Sequence, residues 1–133
     1  MTDPLKNDAE VTYRQIHPHF IKKGVPASNR FMPSARDQNK LSVDRGSMLS
    51  AAESYAAYVA TGLLSAAVFG VSVGEFGQES IPTHPDPVEP KDDRAGNPAH
   101  ALAVYSAFDD VAQKQIALRL CKKAVDRGPL HLE

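Results

Sequence analysis

Residues 50–75 read SAAESYAAYVATGLLSAAVFGVSVGE, and the apolar period changes once within them. Ser50 and Glu53 have the spacing of a capping box. In that device the serine oxygen accepts from the backbone N–H three residues on, and the glutamate reaches back. Tyr55, Tyr58, Val59 and the alanines follow at helical spacing, and Gly62 stands where a left-handed residue ends a helix. The spacing predicts a helix over 51–61 whose alanine-rich face lies close against a sheet. After Gly62 the period falls to two. Phe69, Val71 and Val73 share one face, while Val68, Gly70, Ser72 and Gly74 share the other. This predicts a strand terminated by Glu75, its small-residue side lying under a close neighbour or bordering a pocket.

The flanking sequence extends the pattern in both directions. VTYRQI at 11–16 alternates and carries β-branched and aromatic residues, which predicts a strand, and LSV at 41–43 predicts another. Between them, PHFIKKG opens on a proline tolerated at a first helical position and closes on Gly24, a short helix or turn. An irregular segment follows, with an extended piece expected around Arg30-Phe31. Residues 77–98 hold five prolines among many charges, which excludes a central strand or helix and predicts a long surface loop. HALAVYSAF returns to strand character.

The second strong helix is DDVAQKQIALRLCKKAVDRG, with acids at its start and Lys122, Lys123 and Arg127 at its end, complementing the macrodipole. Phe108, Ala112, Ile116, Leu120 and Ala124 mark a stripe, flanked by Val111, Leu118, Cys121 and Val125, and Gly128 stops it. PLHL predicts a short final strand. The order of elements gives an α+β fold: a single domain with a small mixed or antiparallel sheet packed by two main helices, at about 51–61 and 109–126. Residues 1–10 read as a flexible N-terminal arm, 11–131 as the domain, and 132–133 as a cloning scar. Without regular βαβ alternation, a doubly wound nucleotide fold is not expected.

A chain of 133 residues is long enough to bury a core without staples. Fifteen basic residues against 16 acidic ones leave a net charge of -1, so nothing draws the whole molecule toward nucleic acid or anionic lipid, although a local basic patch is compatible with that balance. The single cysteine, Cys121, lies among apolar neighbours in a helical segment and reads as a small buried hydrophobe in a reducing, cytoplasmic protein. The longest apolar-rich run, 63–73, is broken by Ser65, Gly70 and Ser72 and falls short of a bilayer span. A soluble protein follows, with no membrane partner and no cofactor expected.

Three patterns bear on chemistry. His17-x-His19 and His84-x-Asp86 have spacings that could each bite a metal ion, yet proline beside histidine more simply makes a turn with its side chains in water, so no metal is expected. Gly70-Val71-Ser72-Val73-Gly74 has the form G-x-S-x-G, but the alternation places Ser72 mid-strand rather than on the sharp turn a nucleophile elbow requires. Finally, Arg14, His17, Arg30, Asp37, Ser42, Glu75 and His100 fall on strands or their ends and form the candidate ligand-binding set. Guanidiniums and imidazoles with one glutamate suit a nucleotide-like or phosphorylated ligand. The bland reading is that strand ends are where polar residues ordinarily sit.

HPHF at 17–20, LSV at 41–43, VSVGE at 71–75, the proline-rich loop and PAHALAVY at 98–105 together resemble small bacterial proteins with HPxF, LSV and PAHA-type motifs. The resemblance covers roughly 14–127. It is carried by His17, Phe31, Asp37, Leu41, Ser42, Val43, Glu75, Asp86, Pro98 and His100. No activity is established for that group, so it implies a bacterial origin and nothing more specific. The missing catalytic set, the near-zero net charge and a long proline-rich loop suited to recognition give the leading reading: a non-catalytic binding module, such as an immunity protein, antitoxin or defence accessory, docking on a protein partner. The alternative is an enzyme or sensor for a nucleotide-like ligand, acting through the arginine, histidine and glutamate residues at strand ends.

Overall fold

The alternation in VTYRQI places Thr12, Arg14 and Ile16 on one face of β1 (Val11–Ile16) and Tyr13 and Gln15 on the other. The computed structural model describes residues 2–133 of the chain. After β1 come a small hairpin of β2 (Ile21–Lys22) and β3 (Val25–Pro26), then β4 (Lys40–Arg45), helix α1 (Ala51–Ala60), β5 (Ala67–Ser72) and helix α2 (Val73–Gln78). β6 (Thr83–Pro85), β7 (His100–Val104), helix α3 (Asp110–Arg127) and β8 (His131–Leu132) complete it. Among the described residues, six strands form one sheet in the order β6-β7-β4-β1-β5-β8, and every pairing is antiparallel. The fold is α+β, as the sequence implies.

This order contains two crossovers between strands that run parallel. β4 and β5 flank β1, each antiparallel to it, and α1 carries the chain between them. β7 and β8 run opposite to that pair and are joined by α3. Such connections favour one hand, so two units of opposite strand direction that move the same way across a sheet put their helices on opposite faces. The contacts follow that rule. Ile116, Leu120 and Ala124 of α3 join Leu41, Val43, Phe69, Val71, Ala101 and Ala103 in the main core. On the other face, Ser54 of α1 accepts from Gln15 Nε2 at 2.9 Å and donates to Asp44 Oδ2 at 2.6 Å.

β5 is buried along its whole length because both faces are covered. Gly70 sits where a Cβ would come within 2.6 Å of Leu130 Cδ1 and 2.7 Å of Val11 Cγ1, so the expected close neighbour of the small-residue side is the chain leading into β8 and the edge of β1. Two expectations about helices need correction. The alanines of α1 do not pack on the sheet: Ala52, Ala56 and Ala57 are exposed, Ser54 is its one buried residue, and Tyr55 stacks on His131 with ring centroids 4.6 Å apart. On α3, Val111 and Leu118 are 70% and 52% exposed, while Gln113 is buried, its amide donating to Asn39 Oδ1 and to the Tyr105 and Phe108 carbonyls. A stripe at steps of four drifts around a helix of 3.6 residues per turn, so its flanks leave the interface.

Three loop expectations also change. The piece around Arg30-Phe31 is a 3-10 turn, Ser28–Phe31, that drops Phe31 fully buried beneath α3. The proline-rich segment contains an edge strand, β6, in which Pro85 is tolerated because its missing N–H faces outward. Beyond β6 the chain forms an exposed arm closed by antiparallel bridges Val88↔Asn97 and Lys91↔Arg94. The N-terminal segment, expected as a flexible arm, lies along the molecule: Leu5 N donates to Thr83 O at 2.7 Å, Gly74 N to Asp8 O, and Glu10 is buried. Leu132, assigned to a cloning scar, pairs with Ala67 in β8.

Candidate functional site

The seven candidate residues do not meet. β1 runs antiparallel to β5 with Val11 opposite Ser72 and Ile16 opposite Ala67. Glu75 therefore lies near one end of β1 and His17 beyond the other, about 20 Å apart at roughly 3.3 Å per residue. His100 starts β7, two strands from β1. Each of the three is occupied locally. His17 Nδ1 accepts from His19 N at 3.0 Å, capping the 3-10 turn Pro18–Phe20. His100 Nδ1 lies 3.0 Å from Asp86 Oδ2 and 3.0 Å from Asp86 O.

Glu75 is not a strand terminus. The strand stops at Ser72, and Val73–Gln78 is α2, opened by a second capping box: Ser72 N donates to Glu75 Oε1 at 2.8 Å, and Glu75 N to Ser72 Oγ at 3.0 Å. Serine and glutamate three apart compete with alternation, and the cap wins where the strand leaves the sheet. Ser72 thus does sit between strand and helix, contrary to the mid-strand placement. Its φ of −79° is ordinary extended backbone and its hydroxyl is taken by the cap. Burial alone would raise the Glu75 carboxyl, but Arg127 Nη1 at 2.8 Å and the Ser72 N–H outweigh it and hold it below the usual range.

The other proline-flanked residues are similarly placed. His84 Nδ1 is 2.7 Å from Thr2 O. Among the described residues no group of three or more His, Cys, Asp or Glu is arranged to hold a metal ion. Cys121 is buried, its sulfur 3.6 Å from Pro26 O, and burial pushes the thiol up from its ordinary value.

Arg14 reaches the backbone of Arg30 and Ser42, and its charge acts on Asp37, which it does not touch. β1 and β4 pair only at Thr12↔Arg45 and Tyr13↔Asp44. Beyond that point Arg14, on the core-facing side of β1, bridges the separating chains: Nε donates to Arg30 O at 2.7 Å and Nη1 to Ser42 O at 3.3 Å. Ser42 contributes its carbonyl, while its side chain is exposed on the opposite face. Arg30 stacks its guanidinium 3.7 Å over the Phe20 ring, with Nε on Asn29 Oδ1. Asp37 caps its own 3-10 turn, Oδ2 accepting from Ser34 N at 2.9 Å and Ser34 Oγ at 2.7 Å; these bonds, with the charges of Arg14 and Arg36, lower its carboxyl.

Among the described residues neither Arg14 nor Arg30 forms an ion pair. Burial and the like charge of Arg30 loosen Arg14's hold on its proton, opposed by Tyr58, Asp37 and Tyr105. A guanidinium nevertheless stays charged throughout the folding range. No known protein family, curated protein or solved structure matches this chain.

Several residues of this region were not foreseen. Phe20 could have been flagged as the aromatic beside His17-Pro18-His19, but its use as a platform for Arg30 depends on the β2–β3 hairpin bringing 20 and 30 together. Glu10, Arg45 and Ser47 form the best-made buried carboxylate site, with Arg45 donating at 3.0 and 3.1 Å and Ser47 Oγ at 2.7 Å, and carry no motif at all.

Proposed function

We propose that this chain is a non-catalytic binding module that docks on a macromolecular partner. The observation that carries the reading is the dispersal of His17, Glu75 and His100, each engaged in a cap or pair of its own. A reacting centre needs nucleophile, base and orienting group within hydrogen-bond reach. The arm between β6 and β7 supports docking: residues 86–95 are exposed, two bridges order it, and Asn97 Nδ2 ties its base to Asp44 Oδ1 at 2.8 Å. A preordered projection loses little entropy on binding. The kind proposed is a bacterial immunity protein, antitoxin or defence accessory; the resemblance to small bacterial proteins bears on the origin alone, and a lone buried thiol suits a reducing cytoplasm.

Cross-linking capture from the native cell, with the full chain and with a variant in which residues 88–97 are replaced by a two-glycine turn, tests the proposal. A partner retained by the first and lost by the second is the expected result. No enriched partner, or one indifferent to the arm, overturns it. The second reading, a sensor of a nucleotide-like ligand, is favoured by Arg14 being held against the Arg30 backbone with no carboxylate paired to either arginine among the described residues. It predicts a saturable rise in Tm with nucleotides that Arg14→Lys removes.

A further inference from the structure

We propose that Arg14 and Arg30 form a binding site for a phosphoryl group. Both guanidiniums are half-buried and held in place from behind, Arg14 by the Arg30 and Ser42 carbonyls, Arg30 by Asn29 and the Phe20 ring. Arg14 Nη2 and both terminal nitrogens of Arg30 donate to no protein atom among the described residues. Arg14 Nε on the Arg30 backbone carbonyl makes the two residues neighbours, and the charge of Arg30 acts on Arg14; like charges in a partly desolvated place repel, a cost that an anion joining them relieves.

The cluster has a carboxylate, Asp37, and does not pair with it: Oδ2 is spent on Ser34, and neither guanidinium reaches it as an ion pair. Counting Arg14, Arg30 and Asp37, a positive charge is left over. A phosphate monoester carries roughly −1.5 to −2 charges and three acceptor oxygens at neutral pH, enough to engage two forks at once. A single carboxylate offers two oxygens and one charge. Arginine forks, more than lysine ammoniums, fit that planar, bidentate recognition. The chain's net charge of -1 makes this a local site for one phosphoryl group rather than a track for a polyphosphate backbone.

The inference goes beyond the docking proposal, because it concerns a different part of the surface from the β6–β7 arm and needs no partner for its test; it deepens the second reading, naming the phosphoryl group as what these arginines bind. The source of the phosphoryl group is either a nucleotide or a phosphorylated side chain. Titration of the 15N-labelled full chain at constant ionic strength, with inorganic phosphate, adenosine 5′-monophosphate, a phosphoserine peptide and, as control, glutamate, separates the cases. The expected result is saturable shifts of the Arg14 and Arg30 side-chain Nε–H signals with phosphate, weakened at least tenfold in Arg30→Ala and in Arg14→Lys. Tighter binding of the nucleotide than of phosphate assigns the source to a small ligand, and tighter binding of the peptide assigns it to a modified protein. Should Arg14→Lys fail to fold, Arg30→Ala alone decides, since its one side-chain hydrogen bond is to the adjacent Asn29. No saturable shift, equal binding of glutamate, or unchanged affinity in Arg30→Ala overturns the site.

Discussion

Glu10 shows what a single side chain does at the head of β1. Its carboxylate is 3% exposed and takes hydrogen bonds from Arg45 Nε, Arg45 Nη2, Ser47 Oγ and Ser47 N. Burial alone would raise its pKa, but these donors outweigh it and the carboxyl is held below its ordinary value. A carboxyl depressed in the folded state stabilises above its unfolded pKa and loses that contribution as pH falls through the folded value. Glu10→Gln is expected to cost about 1.5–3 kcal/mol near neutrality, the range for hydrogen bonds to charged groups. The gap to wild type should close on acidification below about pH 4.3, the ordinary glutamate value. Thermal unfolding of both proteins across that range checks it, and a gap independent of pH refutes the assignment. Thr83 gives the opposite case. Among the described residues its Oγ1 is buried without a partner. Thr83→Val is expected to be neutral or to stabilise by up to about 1 kcal/mol, because an unsatisfied buried hydroxyl costs what its burial strips away. A clear fall in Tm for Thr83→Val would show that the hydroxyl is in fact bonded.

Helix α2 illustrates how local signals compete within one element. VSVGE alternates as a strand would, yet Ser72 and Glu75 also spell a capping box, and the structure follows the cap. Ser72→Ala is expected to cost about 1 kcal/mol, the usual price of an N-cap, while Ser72→Asp, which keeps an acceptor, retains most of it. Denaturant midpoints of the two variants measure the difference. A serine-directed fluorophosphonate is expected to leave Ser72 unlabelled, since its hydroxyl serves the cap and no imidazole is hydrogen-bonded to it among the described residues. The long elements were legible. VTYRQI is β1 residue for residue, and the boundaries of α1 and α3 fall within about one residue of their caps at Ser50 and Asp109. Of the candidate site, Arg14, Arg30 and Asp37 were legible only as polar residues expected on strands or their ends, and the same signal named His17, Glu75 and His100, which lie elsewhere. Polarity and an expected strand-end position do not say which of these residues meet, and the register of β1 against β4 and β5 does.

At the scale of the molecule, Asp44 is where three parts of the chain are tied. Its two oxygens accept from Ser54 of α1 and from Asn97 at the base of the β6–β7 arm, while Ser54 accepts from Gln15, whose Oε1 accepts from Ser65. Asp44→Ala leaves the Ser54 hydroxyl and the Asn97 amide without their acceptor, and is expected to cost about 1–3 kcal/mol. Because the bonds form one network, α1 and residues 86–99 should loosen together. Hydrogen exchange that quickens in both segments at once is the expected outcome, and quickening confined to one of them would refute the coupling.

What the sequence by itself determined is local: the long elements β1, α1 and α3, the Ser50–Glu53 cap of α1, and that Cys121 is buried. These depend on period, capping and side-chain size, which act over a few residues. The tertiary structure decided which polar residues meet. Antiparallel pairing of β1 with both β4 and β5 sends His17 and Glu75 to opposite ends of the sheet, and the parting of β1 from β4 leaves a gap that Arg14 bridges to Ser42 and Arg30. Contacts between residues far apart in the chain depend on strand order and register, and a shift of either would leave every local signal unchanged.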